Sequence, residues 1–291
     1  MPTGQIRKAL SGYYYIFDGG QLVQTRARGV FRKRGQSPLV GDFVTYTIEG
    51  ENDGTVTEIE PRKNELVRPP IANIDQALLV FSVTEPDFNL HLLDRFITVI
   101  EGYEVEPVLI LTKVDLLEEV QLEEVKKQAS YYESIGYTLL YTYKGDVSLK
   151  DRLHPILEQQ TSVLAGQSGV GKSTLLNTLL PTLSLKTGEI SNALGRGKHT
   201  TRHVELIEVA EGLLADTPGF STFEMDHIEK EDLSSCFTEM SRYSCKFRGC
   251  MHVKEPGCAV KEAVEQGQIA THRYDHYLHF LEEITDRKPR Y

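Results

Sequence analysis

The sequence predicts an α/β protein of three parts: a small β-barrel, a parallel α/β domain and a helical region around a cysteine-rich loop. Three observations in the 291 residues predict it. Short aromatic and β-branched segments precede Pro69-Pro70, apolar segments alternate with helical segments after it, and all four cysteines lie close together near the C-terminus. We therefore expect domains over residues 1–70, 71–222 and 223–291.

The first part shows strand patterns separated by turn residues. GYYYIF, QLVQTRARGVF, DFVTYTIE and GTVTEIE are rich in aromatic and β-branched residues, and DGG, GQSP and ENDG lie between them. About five short strands without a helix predict a small barrel of the OB-fold type. Such barrels often bind oligonucleotides, although many small barrels do not.

The charge of the chain is uneven. Its net value of −10 argues against a nucleic-acid partner, but residues 1–70 carry a balance of +2, so the remainder carries −12. Five basic residues and no acid occur between Arg26 and Gly35. A solvated surface explains them as well as contacts to a phosphate backbone do. The candidate RNA-binding residues are Arg26, Arg28, Arg32, Lys33 and Arg34.

The central part alternates buried strands with helices. DQALLVFSV, EPVLILTK, YTLLYTY and TSVLAG are apolar enough to be buried on both faces. LHLLDRFITVIEGY, EEVQLEEVKKQASYYESIG and SLKDRLHPILEQQ lie between them and have helical character. This alternation predicts a parallel sheet, whose ligands bind at the carboxyl ends of the strands.

A phosphate-binding loop lies between the strand TSVLA and the helix STLLNTLL. The segment from Gly166 to Ser173 satisfies G-x-x-x-x-G-K-[ST] in the strand–turn–helix context that this motif requires. Its backbone N–H groups and the helix N-terminus favour an anion. We expect Lys172 to reach the β- and γ-phosphates and the Ser173 hydroxyl to bind Mg²⁺. The expected phosphate contacts are Gly166, Gln167, Ser168, Gly169, Val170, Gly171, Lys172, Ser173 and Thr174.

The segment LTKVD indicates which nucleotide the loop holds. Asp115 follows the strand EPVLIL, and its carboxylate can accept two hydrogen bonds, from N1–H and the 2-amino group of guanine. Adenine offers no such pair of donors, so a site built on this carboxylate rejects it. The aliphatic part of the Lys113 side chain is expected to pack over the face of the base. Together with the phosphate loop, the segment predicts a guanine site.

Two further segments complete the expected site. ADTPG follows the strand EGLLA, and we expect Asp216 to bind Mg²⁺ through water and the Gly219 N–H to meet the γ-phosphate. The polar, glycine-rich segment GRGKHTTRHVEL has the composition of a mobile switch. Thr200 or Thr201 would bind Mg²⁺ while the γ-phosphate is present, and the sequence leaves both open.

The usual water-orienting glutamine is missing from its position. Many GTPases place it directly after D-x-x-G, where this sequence has Phe220, so we expect a low intrinsic rate. His199, beside the switch threonines, is the candidate catalytic residue, and a histidine that only packs or faces solvent is the equal alternative. K⁺ held by an asparagine of the phosphate loop is disfavoured, because the corresponding residue is Gly169.

The segment CKFRGCMHVKEPGC predicts a structural zinc site. Cys245, Cys250, His252 and Cys258 offer three thiolates and one imidazole, which suit tetrahedral Zn²⁺ and leave no open position for catalysis. Clustered cysteines without a secretory signal favour metal over disulfides, and free buried thiols are the alternative. Cys236 lies outside the segment and is expected to be a small core residue.

The order of the motifs resembles one group of GTPases. TKVD, YTYK, GQSGVGKS, GRGKHTT and DTPG follow one another, so the base-reading motif precedes the phosphate loop, as in circularly permuted GTPases. With a barrel before and a Cys/His region after, the whole chain is similar to the ribosome small-subunit-dependent GTPase A family (RsgA, also called YjeQ or YloQ). The resemblance implies an N-terminal OB-fold barrel, a central circularly permuted P-loop GTPase domain and a C-terminal helical zinc-binding domain.

The resemblance also implies a function. It points to a GTPase in late maturation of the small ribosomal subunit, with rRNA as partner, stimulation by that subunit, Mg²⁺ with GTP and one structural Zn²⁺. The base-reading motif of GTPases usually begins with Asn, whereas this sequence has Thr112, a residue that members of the permuted family tolerate. A Thr112 hydroxyl replaces one amide hydrogen bond but not both, so we expect guanine selectivity with modest affinity. The implied guanine contacts are Thr112, Lys113, Val114, Asp115, Thr142, Tyr143 and Lys144.

A second class of function stays open. A GTPase switch that acts on a protein partner, with the barrel as a protein-binding module, also fits the acidic chain. No apolar segment is long enough to cross a membrane, and the N-terminus lacks the apolar core of a signal peptide. We expect a cytoplasmic monomer without a membrane partner. It would bind GTP, GDP and, as an inhibitor in the GDP pocket, guanosine tetraphosphate.

Overall fold

The structure is a computed structural model in which residues 1–33, 35–50, 53–180, 204–216 and 224–287 are described. The chain divides into two compact units. The first comprises Met1–Leu78 with Lys144–Ser221, and the second comprises Leu79–Tyr143 with Thr222–Tyr291. Each unit is assembled from two segments that are far apart in the sequence.

The first unit contains a five-stranded barrel. Its strands run in the order β1-β2-β3-β5-β4, and β4 also pairs with β1, which closes the barrel. β3 and β5 are parallel, and the other neighbours are antiparallel. This confirms the expected OB-type barrel. The strands are β1 (Thr3–Leu10), β2 (Tyr13–Asp18), β3 (Gln21–Ala27), β4 (Phe43–Ile48) and β5 (Asp53–Ile59).

Alternating apolar residues fill this barrel. Ile6, Ile16, Val44 and Val56 are fully buried, as the two-residue period of a strand requires. A short helix, α1 (Gly29–Lys33), follows β3, so the prediction of a barrel without a helix was wrong. QLVQTRARGVF does not form one strand because the chain turns at its end and buries the Phe31 side chain.

The first unit also contains part of the α/β sheet. β11 and β13 are parallel neighbours, and β12 pairs antiparallel with β13. β12 also pairs with β1 of the barrel, where Lys8 Nζ lies 2.9 Å from Glu205 Oε2. The barrel and this sheet are therefore joined strand to strand. The elements of the first unit outside the barrel are β6 (Glu65–Val67) and β7 (Pro70–Ala72), which pair with each other, and α4 (Leu149–Leu157), β11 (Thr161–Ala165), α5 (Lys172–Leu179), β12 (Val204–Val209) and β13 (Gly212–Asp216).

The second unit holds further strands and the C-terminal helices. Its strands run in the order β10-β9-β8, with β9 and β10 parallel. All of β8 is buried, as expected of a strand covered on both faces. Among the described helices, none is long and apolar enough to cross a membrane. The elements are β8 (Gln76–Ser82), which begins in the first unit, α2 (Leu90–Glu101), β9 (Glu106–Thr112), α3 (Glu119–Ile135), β10 (Thr138–Tyr141), α6 (Ala259–Glu265) and α7 (Thr271–Asp286).

The segment LSSCFTEMSRY differs from its prediction. It was expected to be helical, but it forms only two 3₁₀ turns, at Leu233–Cys236 and Met240–Arg242. Each apolar side chain of the segment is buried individually against the rest of the unit, and Phe237 is fully buried. Burial of this kind does not require the continuous apolar face of a helix. Cys236 is buried as expected, and burial raises the pKa of its thiol to about 12, so this cysteine is unreactive.

A buried ion network connects the helices of the second unit. Arg273 of α7 is fully buried, and its Nη1 donates to Asp94 Oδ1 at 2.8 Å while its Nε donates to Glu239 Oε1 at 2.7 Å. Asp94 also accepts from the Tyr132 hydroxyl and from His276 Nδ1, each at 2.5 Å. Burial opposes its charge, but Arg273 and these hydrogen bonds hold the pKa of Asp94 below its usual value.

Candidate nucleotide and metal sites

The phosphate loop connects β11 to α5. Gly166, Gly169 and Gly171 have φ values of 146°, 82° and 102°, a region that side-chain-bearing residues rarely adopt. The loop curls around Lys172, the first residue of α5, whose Nζ donates to Gly166 O at 2.7 Å and to the carbonyl of Gln167. The ammonium group therefore lies inside the curl, where a phosphate would bind.

Lys172 is a buried cation whose ammonium group donates to backbone carbonyls and, within the part of the chain that is described, forms no ion pair. Lys172 is only 8 % exposed, and this burial lowers the pKa of its amine to about 8. An anion placed in the loop would stabilise the charged amine by direct attraction. The loop also leads into the N-terminus of α5, which adds partial positive charge at the same place. The arrangement favours a phosphate group.

The expected Mg²⁺ ligands follow neighbouring strands of the first unit. Ser173 is the second residue of α5, directly after the phosphate loop, and Asp216 ends β13. Because β11 and β13 are parallel, with Ser162 opposite Leu214, both ligands follow the carboxyl edge of the sheet. Hydroxyl and carboxylate oxygens are the ligands that Mg²⁺ prefers. His199, Thr200, Thr201 and Gly219 lie outside the described residues.

The base-reading segment TKVD follows β9 in the second unit. The Thr112 hydroxyl, at the end of the strand, donates to Phe81 O of β8 at 3.2 Å. The Val114 N–H donates to Thr142 O at 3.4 Å, and the Thr142 N–H donates to Leu111 O at 2.8 Å. TKVD and the first residues of YTYK are therefore adjacent, as a shared base-binding site requires.

The backbone turns sharply after Thr112. Lys113 has a φ of 61°, and the 3₁₀ turn Val114–Leu116 follows it, with the Asp115 side chain exposed. Tyr143 is 46 % exposed. Lys144 is also exposed and belongs to the first unit. The Thr112 hydroxyl donates its proton to the neighbouring strand β8, which helps to hold this turn in place.

The four expected zinc ligands converge in the second unit. Cys245 Sγ lies 3.6 Å from His252 Nδ1 and 3.7 Å from Cys258 Sγ, and His252 Nδ1 lies 3.3 Å from Cys258 Sγ. With Cys250, all four ligand atoms lie within 4.8 Å of one another. A tetrahedron around Zn²⁺, at about 2.3 Å from sulfur and 2.1 Å from nitrogen, has edges of roughly 3.6–3.8 Å. The residues fit a zinc ion.

Hydrogen bonds hold this metal loop in place. Glu255 accepts from two backbone N–H groups of the loop, at 2.8 Å each. From α7, the Tyr274 hydroxyl donates to His252 O at 2.6 Å and the Tyr277 hydroxyl donates to Met251 O at 2.8 Å. Burial lowers the pKa of His252, which favours the neutral imidazole that binds metal. Sequence reasoning did not identify these supports, because they depend on where α7 packs.

The candidate RNA-binding residues of the barrel lie at the end of β3 and directly after it. The Arg26 guanidinium lies 4.5 Å above the ring of Tyr13, and Arg26 is exposed. Arg28 in the following turn and Lys33 at the end of α1 are also exposed. The described basic side chains can therefore be reached from solvent at one end of the barrel strand. Arg34 and the side chain of Arg32 lie outside what is described.

Comparison with known proteins identifies a family. The RsgA GTPase family matches residues 59–226, and the RsgA N-terminal domain matches residues 3–56. The small ribosomal subunit biogenesis GTPases RsgA of Shouchella clausii and Bacillus cytotoxicus are 56 % and 55 % identical over 293 aligned residues, which cover 100 % of each chain. The two family matches cover most of residues 3–226, and the similarity to the two relatives extends over the whole length of the chain.

Two solved structures share the fold. YloQ, a circularly permuted GTPase, is 47 % identical with a TM-score of 0.85, over 100 % of this chain and 97 % of that chain. YjeQ from Thermotoga maritima is 34 % identical with a TM-score of 0.86, over 99 % of each chain. The base-reading segment precedes the phosphate loop, as the permuted fold requires. The chain belongs to the RsgA GTPase family and is a GTP hydrolase with a circularly permuted GTPase fold.

Proposed function

We propose that this GTPase binds the small ribosomal subunit and acts in its late maturation, hydrolysing GTP to GDP and phosphate on the rRNA. The proposal is carried by full-length identity of 55–56 % to relatives named for biogenesis of that subunit. The closed barrel supports it, because barrels of this type commonly bind oligonucleotides. The exposed Arg26, Arg28 and Lys33 would contact the rRNA backbone, together with Arg32 and Arg34.

We assign the nucleotide to the two motif regions. The buried Lys172 and the positive-φ glycines support phosphate binding, and the exposed Asp115 supports guanine binding. Mg²⁺, when bound, neutralises charge between the β- and γ-phosphates. The proposed contacts are residues 166–174 and Gly219 for phosphate, residues 112–115 and 142–144 for guanine, and Ser173, Asp216 and Thr200 or Thr201 for Mg²⁺.

Purified small subunits test the proposed partner. We expect them to stimulate GTP hydrolysis, whereas large subunits and unrelated RNA do not. Binding should weaken steeply as salt rises, because contacts to phosphates release counterions. Stimulation by an rRNA-free protein fraction, without an effect of intact small subunits, would instead support a GTPase switch whose barrel binds a protein.

His199→Ala is expected to lose the subunit-stimulated hydrolysis while it still binds GTP. Phe220 cannot hydrogen-bond the attacking water, so another side chain must orient it. Loss of such a group typically lowers turnover by about 10²–10⁴-fold. Single-turnover hydrolysis with small subunits measures this. His154→Ala, at an exposed position of α4, is the matched control, and unchanged turnover of His199→Ala would remove this residue from the mechanism.

GDP binding is expected to take up protons near pH 8. The free amine of Lys172 has a pKa of about 8, and bound phosphates raise it by stabilising the charged form. At pH 8 binding therefore takes up roughly half a proton at this residue, and GDP affinity falls as the pH rises further. Calorimetry in buffers of different ionisation enthalpy measures the uptake. Lys150→Ala on the exposed face of α4 should behave as wild type, and proton release at pH 8 would contradict the assignment.

The protein is expected to contain about one zinc ion per chain, held by Cys245, Cys250, His252 and Cys258. Cys258→Ser removes one thiolate of a preformed tetrahedron, so zinc content should fall well below one and the thermal midpoint should drop. Elemental mass spectrometry measures the first effect and calorimetry the second. Cys236→Ser is the control and should keep its zinc. A wild-type protein with little zinc would count against the site.

Further features of the proposed enzyme are open to direct tests. We propose domain boundaries near residues 70 and 222, a monomer, and action in the cytoplasm, where ribosomal subunits mature. We also propose that guanosine tetraphosphate inhibits the enzyme from the GDP pocket, because it shares the guanine and the first phosphates. Displacement of labelled GDP measures this, and a failure to compete would end that part of the proposal.

A further inference from the structure

Aromatic side chains line the outer face of the barrel strand β2. Tyr13, Tyr15 and Phe17 occupy alternate positions of the strand, and Ile16, on the opposite face, is fully buried inside the barrel. The three aromatic residues are half-buried. They therefore belong to the surface of the barrel and not to its core. We call these three residues the aromatic row.

The neighbouring strands extend this surface on both sides. On β3, Leu22 lies opposite Phe17 and Arg26 lies opposite Tyr13. On β1, Leu10 lies opposite Tyr13. Leu22 is 55 % exposed and Leu10 is 42 % exposed, so solvent reaches the surface on either side of the row.

A guanidinium group covers the ring at each end of the row. The guanidinium of Arg26 lies 4.5 Å from the ring centroid of Tyr13, and that of Arg7 lies 4.6 Å from the ring centroid of Phe17. Tyr15 lies between these two positions. Aromatic rings and guanidinium planes are the side-chain groups on which unpaired RNA bases stack. The row therefore has a group of this kind at each of its three positions.

The cations that could hold phosphate groups lie beyond the Tyr13 end of the row. On the side of β1, Arg7 Nη1 is 3.5 Å from Glu208 Oε1, and this ion pair leaves little net charge there. Arg28 and Lys33, in the turn and the helix that follow β3, are exposed. Aromatic side chains beside a group of cations are the combination that binds single-stranded nucleic acid.

The spacing of the row distinguishes single-stranded from double-stranded RNA. Side chains two residues apart on one face of a strand are about 6.7 Å apart, roughly twice the 3.4 Å between successive bases along a duplex strand. A duplex keeps its bases stacked on one another, so it has no separated base planes to offer. A single strand can extend until its bases reach this spacing. The length of the row, about 13 Å, then corresponds to three bases.

We propose that the aromatic row binds three successive unpaired bases of single-stranded RNA by stacking, while the cations that follow β3 hold its phosphates. This inference rests on the proposed function and specifies which form of RNA the barrel binds. A protein partner is the less favoured occupant, because an apolar protein surface would gain little from the guanidinium groups at both ends of the row.

A tryptophan at the centre of the row provides a direct reporter. The chain contains no tryptophan, so Tyr15→Trp introduces the sole indole of the full-length, zinc-loaded protein. An unstructured RNA of about 12 nucleotides, added at low salt, should quench its fluorescence by stacking on the indole. The same RNA annealed to its complement should quench it at least about fivefold less. Val120→Trp, at an exposed position of α3 in the second unit, is the control and should not respond.

Two further variants separate stacking from apolar packing. Tyr15→Leu keeps an apolar side chain but removes the ring, so the affinity for fluorescein-labelled single-stranded RNA, measured by anisotropy, should fall at least about fivefold. Tyr15→Phe keeps the ring and should bind as wild type does. The thermal midpoint of each variant shows whether the barrel is still folded.

Three outcomes would overturn the proposal: wild-type protein that does not bind the single strand, a Tyr15→Trp signal that bound RNA leaves unchanged, or Tyr15→Leu that binds as tightly as wild type. Binding of a ribosomal protein that tolerates Tyr15→Leu but not Tyr15→Asp would overturn it in favour of a protein partner. Stimulation of the wild type by intact small subunits tests the proposed function separately. It can be present when every stacking test fails, so the two failures are distinguishable.

Discussion

Asp115→Asn is expected to exchange guanine for xanthine as the base that this GTPase binds. In the proposed site the carboxylate accepts hydrogen bonds from N1–H and the 2-amino group of guanine, whereas an asparagine amide would donate to the 2-carbonyl of xanthine. A site that leaves such a polar group without its partner rejects the wrong base by about 10⁴–10⁵-fold. Titration with fluorescent GDP and XDP measures both affinities. We expect GDP affinity to fall by about 10³-fold or more and XDP affinity to rise.

Asp151→Asn is the matched control for this exchange. Asp151 lies at an exposed position of α4, so its variant loses the same charge at a place that carries no assigned role. It should bind GDP as wild type does and reject XDP. If Asp115→Asn kept its GDP affinity, the base would be read by another part of the chain, and the assignment of TKVD would fail.

Arg273→Met is expected to destabilise the protein by about 3–5 kcal/mol. The substitution leaves Asp94 and Glu239 buried without the guanidinium that contacts both, and a buried charge without a partner is costly. Unfolding in urea, followed by circular dichroism at pH 7, measures the loss. Arg248→Met is the control, because Arg248 is exposed in the same unit and its variant should change stability by less than about 0.5 kcal/mol.

The pH dependence of this loss has a definite sign. The pKa of Asp94 is lowered in the folded protein, so its contribution to stability is present above the usual carboxyl pKa and disappears as the pH falls through the folded value. In Arg273→Met the same carboxyl can protonate and become neutral when the pH falls. The difference between wild type and variant should therefore narrow in acid. A difference that is constant from pH 7 to pH 4 would show that lost packing, and not charge, dominates.

Local patterns in the sequence were enough to predict the elements whose formation is a local matter. The expected helices of LHLLDRFITVIEGY and EEVQLEEVKKQASYYESIG appear as α2 and α3, with ends that differ by only one or two residues. The phosphate loop was recognisable because its glycines and lysine must follow one another at one strand–helix junction. The cysteine segment was recognisable because its four ligands lie within one short loop. In each case the physical requirement is met by neighbours in the chain.

Contacts between distant segments became visible only in the folded chain. Periodicity indicates that a face of α7 is buried, but it does not say that Arg273 meets Asp94, nearly 180 positions earlier, or that His279 meets His91. The pairing of β1 with β12 and the burial of Phe31 in α1 are of the same kind. Hydrophobic pattern encodes how deeply a residue is buried, whereas its partner is set by how whole elements pack. The sites that depend on one segment were therefore predictable, and the buried ion network around Arg273, which depends on several segments, was not.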